Sequence, residues 1–329
     1  MSRLAPVLEA FFTDRLALQR QASHHTIAAY SDTFKLLLNF VWETTGTHPA
    51  ELDIADLDAP MIGAFLQHLE TARGNAVSTR NARLAAVHSL FRYAALHAPE
   101  HAELISRVLS IPPKRGDRAI ICYLTATEID ALLAAPELAT WHGRRDHALL
   151  VLACQTGLRV SELTGLNDQD VHLGAGAHVR CRGKGRKDRA TPLTRQTADI
   201  LEVWTTERGG QADDPLFPTQ TGRRLSRDAI AHLVAKHAAT AGATCPSITT
   251  KKVTPHALRH SAAMALLHAG VDTSVIALWM GHESPETTQV YLHADMTIKE
   301  RALARVVPPG TTAGRYRAPD TLLAFLDGL

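Results

Sequence analysis

The chain of 329 residues is poor in aromatics, at 5% of positions, and holds only four cysteines. Cys122, Cys154, Cys181 and Cys245 are widely spaced and form no C-x-x-C pair, so neither a zinc site nor a disulfide framework is indicated. No stretch of about 20 apolar residues occurs, the length a membrane helix needs. The opening MSRLAPVLEAFFTDRLALQR is broken by charges before a signal-like apolar run develops, which points to a cytoplasmic protein with no membrane span. Nor does one sign of charge dominate. The 35 Lys and Arg residues against 33 Asp and Glu leave a formal net charge of +2, which argues neither for nor against nucleic acid, because local surface fields outweigh their sum. Hydrophobic content of 45% with 21% charged residues fits an ordinary soluble globular protein rather than a disordered one. At 329 residues the chain exceeds what one core usually supports, so two domains are expected.

What is present in the first third is helical periodicity. Residues 3–20 form an amphipathic pattern with Leu4, Leu8, Phe11, Phe12 and Leu16 on one side. A second helix follows Ser23, keeps Ile27, Tyr30, Phe34, Leu37, Leu38 and Val41 in step, and closes at Gly46. Asp58-Ala59-Pro60 opens a third, which ends at Gly74. Ser78 is expected to cap a fourth, whose Arg80, Arg83 and Arg92 fall outside its Leu84, Val87, Leu90 and Phe91 core positions. Four such helices make a bundle over residues 1–110. IPPKRGDRA, residues 111–119, combines paired prolines, a glycine and charges, as an interdomain linker does.

Beyond it, Thr125 and Glu128 make a capping box. RRDHALLVLACQ is an apolar helix, which Thr156-Gly157 breaks so that Arg159 starts the next helix with Glu162 three residues on. That carboxylate is placed to orient or neutralise neighbouring cations, or to be a plain surface charge. DVHL, HVRCR and DRATPL read as three strands joined by GAGA and GKGRK turns, a small antiparallel sheet in a mainly helical chain. Between Arg180 and Arg195 the basic residues Arg180, Arg182, Lys184, Arg186, Lys187, Arg189 and Arg195 are opposed only by Asp188. Such a hairpin is either a solvated charged turn or a groove contact. Arg223, Arg224 and Arg227, around a helix from Ser226 to Thr240, are phosphate-contact candidates, and Arg80 and Arg83 are candidates for phosphates and base edges.

The densest chemistry lies near the carboxy end. Thr254-Pro255 opens a helix on which His256, Arg259 and His260 share one face. Asp272 or Thr273 caps VIALWM, which stops at Gly281 and presents His282 just past the turn; Ser284-Pro285-Glu286 opens a third helix with Tyr291 on its second turn. A guanidinium beside imidazoles suits a tetrahedral oxyanion, since arginine offers paired donors and stays charged. A tyrosine hydroxyl nearby is a candidate nucleophile. A metal hydrolase is the competing class, prompted by 18 histidines and HALRH, but supporting carboxylate ligands are missing at suitable spacings and arginine would repel the cation.

In order, TGLRVSE, the GKG hairpin, HALRH, GH and the tyrosine resemble the pattern of the tyrosine recombinase (phage integrase) family, particularly its Xer-like branch, over roughly residues 120–305. The resemblance implies an α+β protein: a helical core-binding domain that clamps DNA (1–110), a linker (111–119), a catalytic domain (120–310) and a tail helix (311–329) bearing Leu322, Leu323, Phe325 and Leu326 for contact with a neighbouring protomer. It implies site-specific cleavage and rejoining of double-stranded DNA, without cofactor or metal, through a 3′-phosphotyrosyl link to Tyr291. Arg159 and Arg259 would bind the scissile phosphate, Lys184 would protonate the leaving oxygen, His256 would assist proton movement from the tyrosine and His282 would hydrogen-bond the phosphate, with Glu162 in support. Arg182, Arg186 and Lys187 would contact DNA. A tetramer on DNA, of this chain alone or with a related recombinase, follows from the same likeness. A type IB topoisomerase and a DNA-binding regulator with an unused site are the alternatives.

Overall fold

The computed structural model describes residues 3–116, 121–182 (Arg182 by its backbone only), 188–281 and 291. Lys184, Arg186, Lys187, His282, the helix expected from Ser284 and the tail with Leu322 to Leu326 lie outside these, as does the side chain of Arg182. The chain divides into two compact units, Met1–Arg118 and Ala119–Leu329, each with its own apolar core.

The first unit begins with α1 (Leu4–Ala10), which continues as a π-helical stretch over Phe11–Gln19. Phe11 and Leu16 are both buried five residues apart, a spacing that the wider π turn satisfies and an α turn does not. Phe11 is fully buried, with its ring 5.6 to 6.3 Å from those of Phe12, Tyr30, Phe34 and Tyr93. Removing such a ring from water stabilises the bundle by roughly 1.5–3 kcal/mol. Ser23 caps α2 (His24–Thr45), accepting from the Thr26 amide, and Gly46 ends it at φ 75°; Asp58 caps α3 (Ala59–Thr71), accepting from the Met61 amide. α4 (Val77–His97) starts two residues earlier than the sequence suggests. Its N-cap is Ala76, with no side-chain cap, so Ser78 is inside the helix. A fifth helix, α5 (Ala102–Leu109), packs on α4 through Ile105 and Val108. Part of the expected linker belongs to this unit: Asn81 on α4 and Lys114 exchange hydrogen bonds of 2.8 and 3.0 Å, and Ile111 packs on the core.

The second unit opens with α6 (Ala126–Ala134), capped by the Thr125–Glu128 box. α7 (Trp141–Thr156) is buried along most of its length and ends at Gly157, φ 63°; α8 (Val160–Gly165) follows after one turn. Strands β1 (Val171–His172), β2 (His178–Arg182) and β3 (Asp188–Pro192) form an antiparallel sheet in that order, with Cys181 opposite Arg189. Val179 and Cys181 point into the core while Arg180 points to solvent, the alternation a one-sided sheet requires. α9 (Arg195–Arg208), which the sequence reading passes over, buries Thr197, Ala198, Leu201 and Trp204. α10 (Arg227–Ala241), α11 (Pro255–His268) and α12 (Thr273–Met280) follow. A buried network joins α7 to α10: Arg145 donates to Asp146 at 2.7 and 3.0 Å, and Asp146 pairs with His237 at 2.9 Å. No helix among the described residues is long and apolar enough to cross a membrane.

Candidate active site

Two helices end where a third begins, and two arginines are drawn to the junction. The last carbonyls of a helix have no intrahelical donor and carry its partial negative charge, so they attract cations. Arg259, on the second turn of α11 and buried, donates through its two Nη atoms to Gly157 O at the end of α7 (2.6 Å) and to Met280 O at the end of α12 (2.6 Å). Burial, and next the charge of Arg159, lower its pKa to about 10, so it still carries its charge at neutral pH. Gly157 is required twice over. Its φ of 63° lies in the left-handed region, and a Cβ there would sit 2.8 Å from Met280 Cε.

Arg159 is the N-cap residue of α8, one position past buried Leu158. Its amide donates to Glu162 Oε2 (2.7 Å), its Nη1 to Glu162 Oε1 (2.9 Å) and its Nη2 to Gly281 O (2.9 Å). The side chain stays 30% exposed, so a ligand can reach it. Burial opposes ionisation of Glu162, but hydrogen bonds from Arg189 and the Arg159 amide, with the charges of both arginines, hold its carboxyl below the usual range.

Tyr291 lies against Ala262, Ala263, Met264, Ile276 and Met280, with 2% of its surface exposed. Its hydroxyl is 3.0 Å from His260 Nδ1, and the rings of His260 and His256 are 4.2 Å apart between centroids, so the three groups run in series. Burial raises the phenol pKa against the opposing pull of Arg259 and Arg159. His256 is exposed, yet partial desolvation and then Arg259 and Arg159 lower its pKa from the ordinary 6.5.

The structure thus gathers Arg159, Glu162, His256, Arg259 and Tyr291, and adds two residues the motif reading left unassigned. His260 is one, signalled by its place one turn after His256. Arg189 is the other: an arginine opposite inward-facing Cys181 in the sheet register is the sign that it points inward too. Lys184 and His282 are outside the described residues. Among the described residues no group of three or more His, Cys, Asp or Glu side chains is placed to hold a metal ion.

The proposed DNA contacts divide. Arg80 is corrected: it lies inside the bundle, 6% exposed, with Nη1 donating to Asn81 Oδ1 (3.0 Å) and Pro112 O (3.2 Å), because the chain after α5 folds back over this end of α4. Arg224 is exposed as a residue, but its guanidinium straps the end of α8, donating to Thr164 O, Leu166 O and Asn167 Oδ1 at 2.6 to 3.1 Å. Arg83 is half-buried; Arg223 and Arg227 are exposed.

Comparison with known proteins agrees with the site. Residues 122–297 match the phage integrase family, and residues 10–97 match the phage integrase N-terminal SAM-like domain. The y4rC protein of Sinorhizobium fredii (strain NBRC 101917 / NGR234), which carries an integrase/recombinase name, is 52% identical over 99% of this chain and 98% of its own length. The tyrosine recombinase XerC of Pelobacter propionicus (strain DSM 2379 / NBRC 103807 / OttBd1) is 33% identical over 89% of this chain and 93% of its own. In fold, the XerH site-specific recombinase bound to palindromic difH substrate in a post-cleavage complex superposes with a TM-score of 0.68, at 23% identity, over 87% of this chain and 81% of that one. An arginine pair seated on helix ends, a phenol held by an imidazole and matches across both units place this chain in the phage integrase family of tyrosine recombinases.

Proposed function

We propose that the protein is a site-specific DNA recombinase that cuts and rejoins double-stranded DNA through a 3′-phosphotyrosyl intermediate. The observation that carries this reading is the convergence of Arg159 and Arg259 on the carbonyl ends beside Tyr291. Phosphodiester cleavage gathers negative charge on the nonbridging oxygens, and two preset guanidinium groups meet that charge without reorganising. Comparable transition-state arginines contribute about 10³ to 10⁵ in rate.

In the forward step the Tyr291 oxygen attacks phosphorus, the bond from phosphorus to the 5′ oxygen breaks, and the departing 5′ oxygen takes a proton from Lys184, the role the family pattern gives it, and leaves as a hydroxyl. The phenol proton passes to His260, whose Nδ1 accepts it in the tautomer protonated at Nε2, with His256 next in line. His282 keeps its assignment as a phosphate donor. Rejoining reverses these transfers, and the phosphoryl bond is conserved in the enzyme linkage. Arg182, Arg186, Lys187, Arg223, Arg227 and Arg83 are the proposed DNA contacts; Arg80 and Arg224 serve structure instead. Residues 1–110 clamp the duplex and 120–310 carry the chemistry. Exchange of strands takes a tetramer, of this chain or with a related recombinase, in which the 311–329 tail contacts a neighbour.

The test is covalent capture. The full-length protein, incubated in chelator with a random-sequence pool of nicked duplexes, is expected to give denaturant-stable protein–DNA adducts that Tyr291→Phe does not form. Cut products that need a divalent metal and carry no protein would overturn the proposal, and DNA binding without any adduct would reassign the protein as a binding regulator.

A further inference from the structure

Glu162 accepts four hydrogen bonds, and only two of them come from Arg159. The other two come from Arg189 on β3, whose Nη1 and Nη2 reach Oε1 (2.9 Å) and Oε2 (2.8 Å) as a fork. Each carboxylate oxygen therefore takes two donors, which fills a carboxylate's acceptor capacity. The pair is buried, with 13% of the Arg189 and 3% of the Glu162 side chain exposed. The Arg189 side chain also presses close to the chain at Gly281: a Cβ there would come within 2.5 Å of Arg189 Nη1. Gly281 is the residue whose carbonyl receives Arg159.

We propose that Arg189 is a positioning residue for strand cleavage: by saturating Glu162 from β3 it keeps the Arg159 guanidinium aimed at the scissile phosphate, and it fastens β3 to the arginine pair. This rests on the recombinase reading above. The physical reason is a competition for donors. A buried carboxylate with two open acceptor sites draws in whatever donor is nearest, and without Arg189 that donor is Arg159. Its guanidinium would then be spent on Glu162 rather than offered to DNA. Three guanidinium groups around one carboxylate leave an excess of positive charge for the phosphate; two leave less. Arg189 also stands five positions after Lys184 in the chain, on the strand that follows it.

Among the described residues, the groups facing Glu162 are Arg159 at the start of its own helix, Arg189 from β3, Arg259 from α11 and the Cys181 thiol of β2, which burial pushes up to about 11 and keeps neutral, while Asp170, Arg180 and Asp188 line the same cavity. Removing Arg189 therefore moves the Glu162 carboxyl upward, and with it the acid limb of any step that needs the carboxylate.

The test measures adduct formation by the full-length protein at saturating concentration of the nicked duplex recovered by capture. Arg189→Ala is expected to slow adduct formation by ~10- to 100-fold, the scale of an ångström-sized misplacement, and to change DNA affinity by under ~3-fold. Arg189→Lys should recover only part of the rate, because an ammonium cannot fork onto both oxygens. In a Glu162→Gln background Arg189→Ala should add little. An Arg189→Ala rate within ~2-fold of wild type, or a double variant whose loss is the product of the two single losses, would overturn the inference. Absence of adducts from the wild type would instead overturn the recombinase reading itself.

Discussion

At the scale of single residues the site holds its nucleophile in check. Burial keeps the Tyr291 phenol protonated at neutral pH, so attack requires a base, and His260 is the group in hydrogen-bond contact. His256 has its pKa lowered from 6.5, so it is neutral at pH 7 and becomes charged only in more acid solution. Because His256 must be neutral to take the proton on from His260, adduct formation should be level near pH 7 and decline as pH falls below 6.5 through the lowered pKa of His256. His260→Phe, which keeps a ring and loses the nitrogen, should slow adduct formation by about 10² or more with little change in DNA affinity. A rate unaffected by that change would remove His260 from the proton path. The two arginines and the tyrosine were legible in the sequence because each sits in a short motif whose spacing fixes a helical face. The His260 contact was not. It joins residues 31 positions apart, and sequence spacing says nothing about which of two imidazoles meets a distant phenol.

The elements place these groups by where they stop. α7 and α12 end at Gly157 and Gly281, with φ of 63° and 62°, and their terminal carbonyls hold the arginines. Gly157→Ala forces a left-handed alanine and drives a methyl to within 2.9 Å of the Met280 sulfur, so a loss of about 1–3 kcal/mol in stability is expected. The same change displaces the Gly157 carbonyl from Arg259. Adduct formation should drop by more than the loss of folded protein explains, as read from the adduct rate per folded molecule, with the folded fraction taken from thermal melts. A rate that tracks the folded fraction would show that the helix end does not position Arg259.

Caps and breaks at Ser23, Gly46, Asp58, Thr125, Gly157, Thr254 and Gly281 were readable, since each has a local cause. α5 and α9 were not. α5 is amphipathic but only eight residues long, too short for its apolar period to stand out, and α9 buries Thr197 and Ala198 beside Leu201 and Trp204, which leaves its apolar period weak. The burial of Arg80 was equally hidden, because its partner Pro112 lies 32 positions away in a stretch whose composition reads as linker.

Over the whole molecule, the buried carboxylates with lowered pKa fall in one unit. Glu128, Asp146 and Glu162 are 1%, 3% and 6% exposed, and all three lie in Ala119–Leu329. In each, burial opposes ionisation and is outweighed by bonded cations and donors: Lys251, the Thr125 amide and Ser247 for Glu128, His237 and Arg145 for Asp146, and Arg189 and Arg159 for Glu162. The folded pKa is below the unfolded one in every case, so each carboxylate contributes stability that is fully present above the ordinary value, 4.5 for glutamate and 3.8 for aspartate, and is lost as pH falls through the folded value. In that window the unfolded chain binds up to three more protons, which gives a slope of up to about 4 kcal/mol per pH unit. Three of the four tryptophans, Trp141, Trp204 and Trp279, belong to this unit and report on it by fluorescence. Denaturant titrations followed by tryptophan emission should show stability declining modestly below pH 6.5, where the unfolded chain protonates His256 before the folded one does, and falling steeply below about 4.5. Glu162→Gln should lower stability at pH 7 and flatten the fall by one proton's share. A slope unchanged by that substitution would mean that the Arg159–Glu162–Arg189 cluster contributes nothing to holding the second unit together, and that its charges are set for catalysis alone.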